Sequence, residues 1–309
     1  MTEMLYQRDV YGQTLVDLGK RNKDIVVLDA DLAGSTRTSI FAKEFPERFF
    51  NFGVAEQNMM ATAAGLASCG KIVFASTFAM FATGRVWDQI RNTVSYNNFN
   101  VKIVASHAGL TVGPDGASHQ ALEDIAIMRV IPTMCVVVPC DGPQTQQAII
   151  SCVDTPGPFY IRLGRAKFPT IENKGEFKLG KAQILKEGND VTIAACGVMV
   201  QEALIAAQNL LAKGIKARVI NVHTIKPLDK ELILEAAVRT KGIVACEEHS
   251  TTGGLASSID EVVTENHPAR VLRVGVRNRF GQSGEPADLL KEYGLTSLDI
   301  EKAALAIIA

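Results

Sequence analysis

A glutamate at a strand-to-helix junction is the residue of this sequence best suited to acid–base chemistry. Glu56 follows an apolar stretch and Gly53, and it precedes a run rich in alanine and methionine that predicts a helix over residues 56–68. The small side chains of this run offer little that could solvate a charge, so we expect Glu56 to bind its proton more tightly than a free carboxylic acid. The competing interpretation is a capping acid that only complements the helix dipole.

A glycine-rich segment bounded by two histidines is the second candidate for chemistry. It runs from His107 to His119, and between them it contains Asp115 together with Gly109, Gly113, Pro114 and Gly116. This density of glycine and proline predicts a shaped turn and argues against a helix face. The two imidazoles and the carboxylate would then stand on a loop, where they could contact a ligand.

Short apolar strands alternate with helical segments along the whole chain. This rhythm is typical of α/β proteins with a mainly parallel sheet covered on both faces. We predict the following strands: 25–28, 72–74, 101–105, 136–138, 159–162, 191–195, 217–222, 242–247 and 271–274. We predict the following helices, with two more at the C-terminus: 10–20, 56–68, 87–96, 143–151, 198–213, 229–239 and 254–266.

The predicted strands also indicate where a ligand would bind. In sheets of this kind ligands lie at the carboxyl ends of the strands. Four candidate residues lie just past such ends: Asp31, Ser35, Phe78 and His107. These positions are therefore candidates for contact with a ligand.

A polar segment divides the predicted elements into two sets. Residues 167–182 lack a periodic pattern and contain Pro169 and Gly175. We therefore predict one domain over residues 1–166, a linker over 167–182 and a second domain over 183–309. Each set is long enough to form its own core.

The composition is that of an ordinary globular protein, and it excludes several classes of partner. Lys and Arg number 32 against 33 Asp and Glu, which leaves no basic excess for nucleic acid or an anionic membrane surface. The N-terminus does not resemble a signal peptide and no apolar run is long enough to span a membrane, so we expect a cytoplasmic protein. The six cysteines form no Cys-x-x-Cys pair, which favours reduced core thiols over a metal site.

The segment around Glu56 resembles a known family. The run Gly53-Val-Ala-Glu-Gln-Asn-Met59 is similar to the pyrimidine-binding segment of transketolases. The likeness extends from Arg8 to the C-terminal helix, and it matches only the second half of a full-length transketolase. It implies two three-layer α/β domains, a pyrimidine-binding domain followed by a transketolase C-terminal-like domain.

The resemblance also implies a cofactor, thiamine diphosphate, and residues that would bind it. By this likeness Glu56 hydrogen-bonds the aminopyrimidine ring and shares the proton that activates the cofactor carbon. Phe78 and Phe81 match the aromatic residues that flank the pyrimidine, and Asp31 matches the aspartate that approaches the thiazolium. His119 matches a residue that contacts both the cofactor and the substrate.

Further matches imply a phosphorylated sugar as substrate. Four positions match phosphate contacts of the family: Arg8, Ser35, His107 and Arg165. Arginine suits this role because its planar guanidinium binds phosphate through two hydrogen bonds. Asp115 matches a residue that binds a substrate hydroxyl.

Some positions depart from the family pattern. The chain differs between Phe81 and Asp88, so the resemblance leaves the position of Arg85 open. In the second domain His249 belongs to an acidic-histidine-glycine turn that lacks the aromatic residues of the family. We interpret His249 and His223 as structural.

The magnesium site of the family has no counterpart in this sequence. No Gly-Asp-Gly segment is followed by an asparagine about thirty residues later, the pattern that supplies the magnesium ligands for the diphosphate. We therefore expect Mg²⁺ to bind to a separate N-terminal subunit and no metal to bind to this chain. The resemblance favours a homodimer core that recruits two such partners in an α2β2 heterotetramer.

Together these observations predict the C-terminal subunit of a split transketolase, which moves a two-carbon ketol unit between phosphorylated sugars. A 1-deoxy-xylulose-5-phosphate synthase-like subunit is an alternative, although that family usually has arginine at the position of His107. The beta subunit of a 2-oxo-acid dehydrogenase shares the domain plan but lacks the loop from His107 to His119. A catalytically silent regulatory subunit is a further alternative.

Overall fold

The computed structural model describes residues 3–172 and 175–309. Fourteen strands occur in this part of the chain: β1 Met4–Tyr6, β2 Ile25–Asp29, β3 Phe49–Asn51, β4 Ile72–Phe78, β5 Val101–Ser106, β6 Cys135–Val137, β7 Phe159–Arg162, β8 Lys167–Pro169, β9 Gln183–Lys186, β10 Val191–Ala195, β11 Ala217–Asn221, β12 Thr224–Lys226, β13 Ile243–Ser250 and β14 Val271–Val276.

The same residues form twelve α-helices: α1 Gln7–Arg21, α2 Ala33–Thr36, α3 Thr38–Glu44, α4 Glu56–Ser68, α5 Ala79–Thr83, α6 Asp124–Arg129, α7 Gly142–Asp154, α8 Met199–Ala212, α9 Lys230–Arg239, α10 Leu255–Asn266, α11 Pro286–Glu292 and α12 Ser297–Ile308. The helix predicted over residues 56–68 is confirmed at both ends. The helix predicted over 87–96 is π-helical at Gln89–Ser95. None of the helices described here has the length and apolar character needed to cross a membrane.

Two sheets organise the chain, which confirms the three-layer α/β prediction. The first has seven strands in the order β12-β6-β7-β5-β4-β2-β3, all parallel except β12. The second has five strands in the order β14-β13-β10-β11-β9, all parallel except β9. The central strands of both sheets are fully buried, as expected for sheets covered by helices on both faces.

The two halves of the chain are joined by more than a connecting segment. Strand β12 belongs to the second half of the sequence but pairs with β6 at the edge of the first sheet. The predicted linker, 167–182, begins with β8, which pairs with β1 near the N-terminus. Residues 1, 2, 173 and 174, which fall in the predicted first domain and linker, lie outside the described residues.

The register of the first sheet brings the candidate residues to one edge. Phe78 at the end of β4 pairs with Ser106 at the end of β5, so His107 is the first residue beyond the sheet. Asp29 at the end of β2 pairs with Ser76 on one side and Asn51 on the other. The strand predicted at 72–74 extends to Phe78 because the small residues that follow, although partly polar, are buried in the sheet.

Five of the six cysteines are buried free thiols, as predicted, whereas Cys69 is exposed. Cys69 is the C-cap of α4, where the helix ends at the surface. No group of three or more His, Cys, Asp or Glu side chains within residues 3–172 and 175–309 is arranged to hold a metal ion.

Candidate functional site

Glu56 is the first residue of α4, and its side chain is only 4% exposed. The turn from β3 into the helix passes Gly53, whose φ of +65° is readily adopted only by glycine. The preceding residue, Ala55, supplies no side-chain cap to the helix. The chain therefore places a carboxyl group in a buried position at the start of a helix.

Glu56 has a charged partner, which contradicts the expectation that nothing nearby could solvate its charge. Nη1 of Arg85 lies 2.6 Å from Oε1 of Glu56. The guanidinium also lies over the ring of Phe81, with Cζ 4.3 Å from the ring centroid. Gln57 donates a hydrogen bond to the carbonyl oxygen of Arg85 and holds this segment against α4. Arg85, whose position the sequence left open, therefore lies at the candidate site.

Four aromatic rings pack together beside this ion pair. The rings of Phe78 and His107 stack with centroids 3.8 Å apart and an interplanar angle of 18°. Phe81 lies parallel to Phe78 at 6.2 Å. His119 meets Phe81 edge-on, with centroids 5.4 Å apart. The two predicted stacking residues thus come together, and one face of Phe78 is covered by His107.

The imidazole of His107 connects the aromatic cluster to the predicted phosphate contacts. Its Nε2 lies 3.5 Å from Nη1 of Arg8, and its Nδ1 lies 2.9 Å from Oγ of Ser106. An arginine can only donate, so this geometry requires Nε2 to accept and places the proton on Nδ1. Burial and the nearby charges of Arg8 and Arg165 lower the pKa of His107 to about 3. The ring is therefore neutral at physiological pH.

Two arginines give this end of the site its positive charge. Nη1 of Arg8 also donates to the carbonyl oxygen of Ser35 at 3.3 Å, while its Nε is buried and has no partner among the described residues. Nη1 of Arg165 donates to the carbonyl oxygen of Val112. Burial and the charge of Arg37 lower the pKa of Arg8. These donors can bind an anion, and a buried donor without a partner favours such binding.

The loop that carries Asp31 and Ser35 is held by a buried carboxylate that the sequence analysis missed. Asp29 accepts hydrogen bonds from the backbone N–H of Leu32 and from the hydroxyl groups of Thr36 and Thr38. Burial raises the pKa of Asp29. The feature that could have indicated this role is that Asp29 is an acid at the end of the apolar strand β2.

Asp31 is itself in the left-handed region, with φ of +67°. Its backbone N–H donates to Oδ1 of Asn51, and its carboxylate accepts from Nδ2 of the same residue. This conformation costs free energy for a residue other than glycine, so the contacts with Asn51 stabilise it.

The loop from His107 to His119 contains helical turns that were not predicted. Leu110–Asp115 forms two short 3-10 turns separated at Gly113, which is not helical. Asp115 is exposed, and no hydrogen bond or ion pair within the described chain joins it to the other candidates. His119 is half-buried, with Nδ1 2.9 Å from Oγ of Ser118.

The two remaining histidines lie away from this cluster. His249 is buried; its Nδ1 contacts the carbonyl oxygen of Ser250 and its Nε2 accepts from the backbone N–H of Ala126. His223 is buried under Phe177, and burial lowers its pKa to about 4. Both histidines thus contact only the surrounding protein among the interactions described, as structural residues do.

Comparison with known proteins identifies the family of both halves. Residues 3–170 match the transketolase pyrimidine-binding domain, and residues 180–300 match the transketolase C-terminal domain. The chain is 51% identical to a putative transketolase C-terminal section of Methanocaldococcus jannaschii, over 96% of this chain and 94% of that protein. It is 44% identical to the 6-deoxy-6-sulfo-D-fructose transketolase subunit SqwH of Clostridium sp. strain MSTE9, over 96% of this chain and 92% of that protein.

A solved structure extends this similarity to three dimensions. A split-gene transketolase, described as an inactive beta4 tetramer, superimposes with a TM-score of 0.92. It is 51% identical, and the match covers 98% of both chains. The chain therefore belongs to the transketolase family, in which it corresponds to the C-terminal section of a split enzyme.

Proposed function

We propose that this chain is the C-terminal subunit of a thiamine-diphosphate-dependent transketolase that transfers a two-carbon ketol unit between phosphorylated sugars, such as xylulose 5-phosphate and ribose 5-phosphate. One observation carries the proposal. A continuous series of contacts runs from Glu56 through Arg85, Phe81, Phe78 and His107 to Arg8. It links a buried acid, an aromatic surface and a cationic end, which are the three features that this reaction requires.

The residues at the acid end fit the pyrimidine half of the cofactor. Thiamine diphosphate supplies, when bound, the carbon acid chemistry that breaks and forms the sugar carbon–carbon bond. Glu56 would hold and share a proton with a pyrimidine nitrogen: Oε1 pairs with Arg85, and Oε2 makes no hydrogen bond within the described chain. Phe78 and Phe81 would bind the flat ring, and His119 would contact its amino side.

Asp31 would face the thiazolium. Its carboxylate is exposed at the end of β2 and is oriented by Asn51. A negative charge at this position favours a cationic ring.

The cationic end fits a sugar phosphate. Arg8, Arg165 and Ser35 would donate hydrogen bonds to the phosphate, and the two guanidinium groups supply the charge that balances it. Neutral His107 would contribute to this set by orienting Arg8 through its Nε2. Asp115 and His119 would bind hydroxyl groups along the sugar. The buried Nε of Arg8, which has no partner among the described residues, supports this assignment.

We further propose that a separate N-terminal subunit supplies the diphosphate site and its Mg²⁺. Split relatives of this length support a two-subunit enzyme, and the related tetramer of one chain type is described as inactive. Each cofactor would then lie between a homodimer core formed by this chain and a partner subunit, in an α2β2 heterotetramer.

Reconstitution tests this proposal. We expect this chain alone and the partner alone to be inactive, and the mixture with thiamine diphosphate and Mg²⁺ to transfer ketol units from xylulose 5-phosphate to ribose 5-phosphate. Native mass spectrometry of the mixture measures the stoichiometry. Full activity of this chain with the partner rigorously excluded would contradict the two-subunit proposal, and an inactive mixture of correct mass would contradict the proposed reaction.

A further inference from the structure

One buried carboxylate of the second half of the chain, that of Glu248 in β13, reaches the loop between His107 and His119. Its Oε1 accepts a hydrogen bond from the backbone N–H of Thr111 at 2.5 Å. The carboxyl group also packs directly on Gly109, where an added Cβ would collide with it. Gly109 has φ of +79°, so both its conformation and this close approach require glycine.

Behind Glu248 a buried arginine connects the carboxylate to the first sheet. Arg162 in β7 donates from Nη2 to the backbone carbonyl of Glu248 at 2.9 Å, and its Nη1 lies 3.9 Å from Oε2 of Glu248. Its Nε donates to Asp124 at 2.7 Å, and Asp124 also accepts from the hydroxyl of Tyr160. The guanidinium of Arg162 thus contacts two carboxylates and links β7, α6 and β13.

The two carboxylates share this arginine unequally. Burial alone would raise the pKa of Asp124, but Arg162 holds it below its usual range. Burial raises the pKa of Glu248, and the more distant Arg162 offsets this only in part. The Thr111 N–H, 2.5 Å from Oε1, is closer to the Glu248 carboxylate than Arg162, whose Nη1 is 3.9 Å from Oε2.

The loop that Glu248 contacts carries three residues of the candidate site, His107, Asp115 and His119. His107 has φ of +58°, a conformation that costs free energy for a residue other than glycine and that must be held by its surroundings. The loop is closed by a hydrogen bond from the N–H of Gly109 to the carbonyl of Ala121. Thr111, two residues beyond Gly109, is held by Glu248, so this carboxylate fixes the backbone between the ends of the loop.

We propose that Glu248 is a positioning residue, through which the C-terminal half of the chain holds His107 and His119 in place for the substrate. Its effect on turnover rests on the function proposed above, whereas its effect on the loop does not. The loop from His107 to His119 and the C-terminal half would then lose their order together or keep it together.

The neighbouring acid provides a matched control. Glu247 is also buried in β13, but its carboxylate accepts from the backbone N–H groups of Leu255 and Ala256 at the start of α10. Glu247→Ala therefore removes an equally buried carboxylate of the same strand without touching the loop. Comparison with Glu248→Ala separates positioning of the loop from general destabilisation of the second half.

Amide hydrogen exchange of the full chain, followed by mass spectrometry, is the direct measurement. In Glu248→Ala we expect peptides within 108–118 to exchange about 10- to 150-fold faster, the factor that corresponds to a lost hydrogen bond to a charged group. We expect β10 and β11 to be unchanged. Glu248→Gln preserves volume and guards against a variant that does not fold. It should be intermediate because its amide oxygen can still accept from Thr111, but the side chain has lost its negative charge and its NH₂ group would face Arg162.

The proposal would be overturned if amide exchange at 108–118 were equal to wild type in both Glu248 variants. It would also be overturned if Glu247→Ala accelerated amide exchange at 108–118 by the same factor. In the complex with the partner, Glu248→Ala should raise KM for the sugar phosphate more than it lowers kcat, since it displaces binding residues. Unchanged kinetics with a loosened loop would overturn the link to the substrate. Absence of turnover in the wild-type complex would instead contradict the proposed function and leave the exchange result valid.

Discussion

Replacement of Glu56 by glutamine separates its two possible roles, proton sharing and helix capping. The amide preserves shape and can still accept from Arg85, so the variant should fold and assemble. The loss of negative charge at the helix N-terminus costs about 0.3–1 kcal/mol. The ion pair adds on the order of 1 kcal/mol at most, because Arg85 is 46% exposed and water screens its charge.

The catalytic effect should be larger than this loss of stability. An amide cannot share a proton with the pyrimidine, and a positioned acid or base contributes roughly 10²- to 10⁴-fold. This factor corresponds to about 2.7–5.4 kcal/mol in the activation barrier. The assay is hydrogen–deuterium exchange at the reactive carbon of thiamine diphosphate in the assembled complex, where no sugar is needed.

A control in the second half of the chain isolates the stability effect. Glu231 lies in the first turn of α9 and pairs with Lys181 at 2.8 Å. Glu231→Gln therefore loses a helix-dipole interaction and a solvent-exposed ion pair far from the candidate site, and its cofactor exchange should equal wild type. If Glu56→Gln also exchanged the hydrogen on the cofactor carbon at the wild-type rate, this result would refute the proton-sharing role and favour the capping interpretation.

Two further predictions concern the cationic end of the site. Arg8→Ala or Arg165→Ala should raise KM for phosphorylated donors by the equivalent of roughly 1.5–3 kcal/mol and spare hydroxypyruvate, which has no phosphate; steady-state kinetics with both donors measures this, and equal losses would show that the arginines are structural. His107, whose pKa is lowered to about 3, should stay neutral on NMR titration down to pH 5. The unfolded chain binds this proton near pH 6.5, so the stability contributed by neutral His107 is present above that pH and is lost toward pH 3, at up to about 1.4 kcal/mol per pH unit. Titration of His107 between pH 5 and 8 would contradict the buried, neutral assignment.

Local sequence patterns were sufficient to predict the α/β architecture and the start of α4. Apolar strands that alternate with helices predict a covered parallel sheet, and the predicted helix over 56–68 has the observed bounds. The edge of the sheet where Asp31, Phe78 and His107 gather also follows from these patterns, because parallel strands place their carboxyl ends together. Hydrophobic periodicity is a local property, and a single sequence records it directly.

The contacts within the site could not be predicted in the same way. Arg85 contacts Glu56 across 29 residues, and Glu248 contacts Thr111 across 137 residues. The crossing of β12 into the first sheet and the stacking of His107 on Phe78 are likewise long-range. Hydrophobic spacing shows which face of an element is buried but not which distant side chain it meets. Local patterns therefore indicated covered, mainly parallel sheets and the position of Glu56 at the start of α4. The ion pair beside Glu56 and the support of the loop from His107 to His119 emerged only in the folded chain, because both depend on how separate elements pack.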